Sequence, residues 1–451
     1  MTLRFGTDGV RGIANLDLTP ELVVALGRAA ARVLSADRFL IGRDTRRSGP
    51  MLEAALAVGL ASEGATVASL GVVPTPAVAH ACAQQASAGA MVSASHNPFT
   101  DNGIKLFSAG GRKLSDELEA RLEAALDHLV HGAGPGDRAL TGTDVGTLTA
   151  APEHVLTYAD AVIASIEGRD LGGMRLVVDC ANGSASAIAP DVLRRLGAEV
   201  VVLHADPDGR NINDSCGSTH PEDLKRAVTD HRAQAGLAFD GDADRVLAVD
   251  AAGALVDGDQ VIGICAIDLH DRGLLRGDAI AVTVMSNLGL RRAMEAQGIG
   301  IVETAVGDRS VLDALDAGGL SLGGEQSGHV IFRDLATTGD GLLTGVQLLD
   351  AVCRSSRSLS ELAAVVVRLP QVLRNVRVAA TGFDPSSLIA AELAAAATDL
   401  GDDGRVLVRA SGTEPLVRVM VEAATQSRAD AVADRLAAAV QAAASPRSDR
   451  R

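Results

Sequence analysis

The run Phe239-Asp240-Gly241-Asp242-Ala243-Asp244-Arg245 sets three carboxylates two residues apart, with small residues between them. An extended chain alternates its faces with a period of two, so all three acids can point one way, toward a single hard cation. The small residues let the loop approach closely. Carboxylate oxygens suit magnesium, which keeps coordination positions open for phosphate. A calcium EF-hand also begins with alternating acids, but it needs Gly at its sixth position and Glu at its twelfth. Arg245 and Ala251 stand there instead. The plainer reading is an acidic solvated turn. Apolar runs at 237–239 and 246–249 oppose it, because they put the acids at a strand end in a domain core.

A second stretch, MVSASHNPFTDNGIK at 91–105, reads as a strand that ends in a hydroxyl-rich turn fixed by Pro98. Ser95 is followed by His96 and Asn97, which can donate hydrogen bonds to a phosphate. A serine hydroxyl is a weak nucleophile, but its phosphoester is a phosphoryl donor. That chemistry needs charge neutralisation by metal and cations. Lys105 can accept the proton of an attacking hydroxyl. The alternative is a turn in which Ser95 and Asn97 bond only the backbone.

Two further loops carry polar groups. Arg409, Ser411, Gly412, Thr413 and Arg418 flank a strand end and form an anion cradle, in which Arg can grip phosphate bidentately. The spacing is not that of a Walker A loop. In GGEQSGH at 323–329, Glu325 and Ser327 on a glycine-rich loop suit recognition of sugar hydroxyl or amine groups, and His329 is open to a structural or a catalytic role alike. Smaller basic clusters lie at Arg11, at Arg43 with Arg46 and Arg47, and at Arg309. For each, a surface ion pair and a phosphate contact are equally open.

The whole chain narrows the choice of partners. It has 451 residues, 47% apolar and only 2% aromatic, so its cores must be aliphatic. That length suggests two to four domains. The formal charge of −16 argues against nucleic acid or an anionic membrane, though not against a small anion met by local Arg. Only three of the 41 basic residues are Lys: Lys105, Lys113 and Lys225. Lys alone loses its proton readily, which singles out Lys105; chance accounts for the other two. Five scattered cysteines without a C-x-x-C suit reduced thiols, and the N-terminus lacks an apolar signal core, so a cytoplasmic protein is expected. The uncharged stretch 64–95 holds Pro74 and Pro76 and reads as strand, turn, helix and strand rather than a membrane span. G-x-S-x-G, H-E-x-x-H and G-x-G-x-x-G fingerprints are missing, which removes support for serine hydrolase, zincin and dinucleotide-binding readings.

These loops need elements to hold them. A strand, a helix, a Gly and another strand recur around 39–67, 175–203 and 279–302. The glycine suits a left-handed helix cap, and the alternation implies α/β layers with largely parallel sheets. The fold class expected is therefore α/β, with three related α/β domains and a smaller α+β C-terminal domain. The boundaries expected are 1–150, 151–254, 255–368 and 369–445. Residues 132–150 read as a linker, the region after Pro370 as strands at 405–409 and 416–422 before one Ala-rich helix, and the tail from Ser445 as disordered.

Taken together, FGTDGVRG, SASHNPFTDNGIKLF, DGDADR, GGEQSGH and RASGTEP, in this order along nearly the whole chain, resemble the α-D-phosphohexomutases. The resemblance implies four domains around a central cleft, one loop from each. It implies an isomerase in which phospho-Ser95 gives its phosphoryl group to a sugar, forms a 1,6-bisphosphate, and takes the other phosphoryl group back. Ser95, Asp240, Asp242 and Asp244 would bind one Mg2+, and Arg245 would stabilise the moving group. Glu325 and Ser327 would read the sugar; Arg409, Ser411, Gly412, Thr413 and Arg418 would hold its other phosphate. Lys105 and then His329 would carry protons, with His96 and Arg11 beside the phosphate. Gln326, the segment NINDSCGSTHP at 211–221 and TVMSNL at 283–288 resemble the amino-sugar branch of the family. That branch implies glucosamine 6-phosphate and glucosamine 1-phosphate as the pair, feeding cell-wall precursors. Mannose or glucose phosphates, and a non-catalytic sugar-phosphate sensor on the same fold, are the alternatives; a hydrolase releasing free phosphate is a third. The partner implied is a phosphosugar, with no nucleic acid and no membrane, and a homodimer is compatible with the sequence. Two positions depart from the family pattern: Ala243 stands where Gly is frequent, and Ser310 where an aromatic residue is expected.

Overall fold

A computed structural model describes residues 9–131, 140–379, 382–411 and 415–444. It divides into two compact units, one of Met1–Met285 with Gly298–Val365 and one of Ser286–Gln297 with Val366–Arg451.

Three sheets of the first unit repeat one topology. In the first, strands Thr66–Val72, Arg38–Arg43 and Ala88–Val92 run parallel, and Asp101–Ser108 returns antiparallel beside the last. In the second, Glu199–Leu203, Arg175–Asp179 and Ala235–Phe239 are parallel and Val246–Asp250 returns. In the third, Gly300–Thr304, Ala279–Thr283 and Leu322–Gly324 are parallel and Val330–Phe332 returns. Each functional loop of this unit is the same connection, from the last parallel strand to its antiparallel return. The repeat foreseen from strand, helix and glycine is thus real. Gly64, Gly197 and Gly298 have φ of +92°, +91° and +71° just past their helices, a backbone conformation that residues with a side chain disfavour.

The cores are aliphatic, as the composition requires. Leu26, Phe39, Ile41, Leu52, Leu56 and Leu60 lie in a cluster under the first sheet, and separate clusters fill the second and third. Helix Pro20–Leu34 starts where Thr19 accepts a hydrogen bond from the Leu22 amide and Pro20 begins the first turn. The stretch 64–95 is strand Thr66–Val72, helix Thr75–Gln85 and strand Ala88–Val92, as expected. Among the described residues no helix is long and apolar enough to cross a membrane.

Two local expectations change. Part of the supposed linker, Leu148–Ala150, is an edge strand parallel to Thr66–Val72. Its pairing runs mainly through backbone groups, so its side chains, all exposed, show no pattern. In the second unit, strands Gln371–Arg377, Leu416–Glu422 and Arg405–Ala410 form an antiparallel sheet. It packs against the expected helix Gln426–Ala444, but a further helix, Ala390–Leu400, was not foreseen. Alanine gives little contrast between faces, so that helix leaves a weak amphipathic trace. Helix Leu288–Ala296 belongs to this unit: the Asn287 side chain both donates to Leu369 O and accepts from Leu369 N. The tail from Ser445, expected to be disordered, lies outside the described residues.

Candidate active site

Strand Ala88–Val92 ends in buried polar residues. Ser95 has a left-handed φ of +52° and is fully buried, with its Oγ 2.5 Å from Asp240 Oδ2. Asp240 begins the matching turn of the second sheet. Oxygens of Asp240, Asp242 and Asp244 all lie within 4.8 Å of one another, as the alternation of acids predicts. The three carboxyls are almost wholly buried. Lys105 reaches in from the returning strand Asp101–Ser108 and bonds Asp242 Oδ2 at 2.8 Å and Asp244 Oδ2 at 2.9 Å. The structure therefore brings together the serine, the triad and the one lysine that the composition singled out.

The charges are uneven. Burial, and then Asp244 and Asp242, push the Asp240 carboxyl up. Burial also acts against ionisation of Asp244, but Lys105, His329 and Arg245 outweigh it and hold that carboxyl well below the usual range. Asp242 Oδ1 and Asp244 Oδ1 are buried without a hydrogen-bond partner. Orphaned anionic oxygens of this kind ask for a cation, so the residues present fit a hard divalent ion.

Around this centre, Arg245 Nη1 lies 3.3 Å from His96 Nδ1, and that nitrogen lies 3.3 Å from Ser95 Oγ. Burial, then Arg245 and Arg11, push His96 down to about 4, so at neutral pH it is an uncharged ring. His329 is 2% exposed, with Nδ1 3.7 Å from Asp244 and Nε2 3.6 Å from Asp308. Glu325 Oε1 accepts from the Gly307 amide, and Ser327 is exposed on the same loop. Ala243 carries φ of +56°, the conformation for which a glycine is the easier residue.

In the C-terminal unit, Arg409 and Arg418 are directly opposed across two antiparallel strands. Burial, and then the Arg418 charge, lower Arg409. Like charges facing each other are unfavourable, and an anion between them would relieve the strain. Ser411 is buried beside them; Gly412 and Thr413 lie outside the described residues.

Several partners escaped the sequence. Thr75, at the start of helix Thr75–Gln85, donates to Asp242 Oδ2 at 2.6 Å. Lys113, which chance could account for, forms a largely buried ion pair with Asp308, next to His329. Its rarity was the available signal. Arg46 is neither a surface ion pair nor an open phosphate contact. It is 1% exposed, paired with Asp44 and wrapped by carbonyls of the Ser95 turn. Arg43 and Arg309 do take the ion-pair option, with Glu53 and with Asp116 and Glu119. Lys225 has only a long contact with Glu222.

Comparison with known proteins agrees with this geometry. Family models described as phosphoglucomutase/phosphomannomutase α/β/α domains I, II and III match residues 2–130, 156–253 and 257–369, and the C-terminal domain matches 363–439. A phosphoglucosamine mutase of Frankia alni is 54% identical, covering 98% of this chain and 99% of the relative. One of Thermobifida fusca is 54% identical, covering 98% of each. A solved phosphoglucomutase/phosphomannomutase family protein of Burkholderia thailandensis superposes with a TM-score of 0.80 at 27% identity, covering 97% of each chain. With three matched sheets, each ending in one polar loop, and all four domain models in order, the chain belongs to the phosphoglucomutase/phosphomannomutase family, the α-D-phosphohexomutases.

Proposed function

We propose that this chain is a phosphoglucosamine mutase that interconverts glucosamine 6-phosphate and glucosamine 1-phosphate through phospho-Ser95 and a glucosamine 1,6-bisphosphate. The observation that carries the chemistry is the buried Ser95 hydroxyl 2.5 Å from Asp240, inside a triad of aspartates. The choice of sugar rests on the names of relatives that match over nearly their full length.

Asp240, Asp242, Asp244 and the Ser95 phosphate would hold magnesium, which supplies positive charge to a loose phosphoryl-transfer transition state. In the first step the sugar's free hydroxyl oxygen attacks phospho-Ser95; the phosphorus–Oγ bond breaks as the new ester forms. Lys105, once it has given up its own proton to become the neutral amine, would take the hydroxyl proton, and His329 in its neutral form is the second candidate for that role. In the second step Ser95 Oγ attacks the other phosphate of the bisphosphate, and the proton returns to the product hydroxyl. Arg245 stabilises the phosphoryl oxygens in transit, with His96 and Arg11 beside them. Glu325 and Ser327 read the sugar. Arg409, Ser411, Gly412, Thr413 and Arg418 take the phosphate that does not react. The five free thiols suit a cytoplasmic setting.

The test is mass spectrometry and turnover in parallel. Adding glucosamine 1,6-bisphosphate should place one phosphoryl group on Ser95. Ser95→Ala should lose nearly all activity, on the order of a thousandfold or more, as removal of a covalent nucleophile does. Glucosamine phosphates should turn over faster than mannose or glucose phosphates. Retained activity in Ser95→Ala would sink the mechanism, a preference for mannose or glucose would sink the substrate, and free phosphate equal to substrate consumed would make the chain a hydrolase.

A further inference from the structure

Ser95 reaches Asp240 only because its own backbone sits in a left-handed conformation that a serine does not favour. Something must hold it there. The Ser95 carbonyl oxygen accepts a hydrogen bond from Arg46 Nη2 at 2.8 Å and another from Asn213 Nδ2 at 2.9 Å. The same two side chains both donate to Asn97 O, at 2.8 Å and 3.2 Å. Arg46 also donates to Asp101 O at 3.0 Å and to Pro98 O. One guanidinium thus gathers four carbonyls of a single turn.

The holders are themselves held. Arg46 is 1% exposed, and its Nε bonds Asp44 Oδ2 at 2.8 Å. That same oxygen accepts from Ser93 Oγ, and Ser93 Oγ accepts from the Ser95 amide at 2.9 Å. Both faces of the Ser95 backbone therefore trace to one buried ion pair. Asn213 comes from the second α/β layer. Its loop is anchored where the Asp179 carboxylate accepts from the Ala181 and Gly217 amides, and where His204 lies 3.0 Å from that carboxylate. A β-carbon on Gly241 would stand 2.5 Å from Ser95 O, so the metal loop closes directly on the same carbonyl.

We propose that Arg46 and Asn213 are positioning residues that fix the Ser95 turn against the aspartate loop, so that the hydroxyl meets the phosphoryl group at reacting distance. This rests on the mutase reading above and deepens it. Neither residue's side chain needs to touch the sugar. Their work is geometric, and a shift of about 1 Å in such a constellation can cost on the order of a hundredfold in rate.

The experiment compares the parent with Asn213→Ala, Arg46→Lys and Asp350→Asn. The last is a control that weakens the ion pairs of buried Asp350 with the partly exposed Arg169 and Arg354. For each, melting temperature, kcat and KM for glucosamine 1-phosphate, and the rate at which glucosamine 1,6-bisphosphate phosphorylates Ser95 are measured. Asn213→Ala and Arg46→Lys should lose about tenfold to a hundredfold in kcat and slow Ser95 phosphorylation to match, with KM within about threefold. The control should melt lower yet keep its kcat. If Arg46→Lys does not fold, Asn213→Ala decides. The proposal is overturned if kcat and loading stay within about threefold of the parent, or if the control at equal melting temperature loses as much. A parent that neither loads Ser95 nor turns over would overturn the mutase reading instead.

Discussion

Three carboxyls and one ammonium share a buried space around Asp240, Asp242, Asp244 and Lys105. Charges so placed depend on one another: removing one partner of a buried pair typically costs about 3–5 kcal/mol, because the other is left uncompensated. Lys105→Met should therefore destabilise the protein by about that amount when metal is stripped by a chelator. Saturating magnesium should recover much of the loss, since the cation then supplies the missing charge. Denaturant melts with chelator and with magnesium check this; an equal loss in both conditions would refute the shared-charge account. These residues were legible in the sequence because their chemistry restricts their type. The partners of Thr75, Arg46 and Lys113 were not, because a hydroxyl, a guanidinium or an ammonium says nothing about what faces it across space.

Among elements, the loop that follows strand Glu199–Leu203 starts at His204, whose ring lies between the Asp179 and Asp223 carboxylates. His204 Nδ1 lies 3.0 Å from Asp179 Oδ2, and Asp179, with Asp223 adding to it, raises the imidazole above its ordinary 6.5, against partial burial. A group whose folded value is raised contributes stability that is fully present below the unfolded value and lost as pH rises through the folded one. The parent should thus lose stability from about pH 6.5 upward, through the raised folded value, and His204→Gln should flatten that slope. Urea melts at a series of pH values test it, and an unchanged slope would dismiss the pair. The strands themselves were readable from apolar runs and the glycines after the helices. The edge strand Leu148–Ala150 was not, since backbone pairing leaves no side-chain pattern.

For the whole molecule, separate aliphatic clusters serve the three sheets of the first unit and the sheet of the C-terminal unit. Multidomain chains depart from two-state unfolding. Calorimetry should show more than one transition. Magnesium should raise the transition of the unit that holds the triad, by about 2.7 kcal/mol at a hundred times its dissociation constant, and leave that of the C-terminal unit in place. Asp244→Asn should weaken the shift. A single transition moved as a whole by magnesium would contradict this division.

What the residues alone determined is which groups are available for chemistry. Alternating Asp240, Asp242 and Asp244, Ser95 in a strand-end turn, Lys105 among so few lysines, and the neighbouring Arg409 and Arg418 are all choices of type and spacing, and local periodicity was enough to place the triad and Ser95 at strand ends. What only the tertiary structure decided is which loop meets which. Hydrogen bonds such as Arg46 to Ser95 O, Asn213 to Ser95 O and Thr75 to Asp242 join residues 49, 118 and 167 positions apart. The first joins the ends of neighbouring strands in one sheet, the other two join loops of different sheets, and no short window of sequence contains both partners.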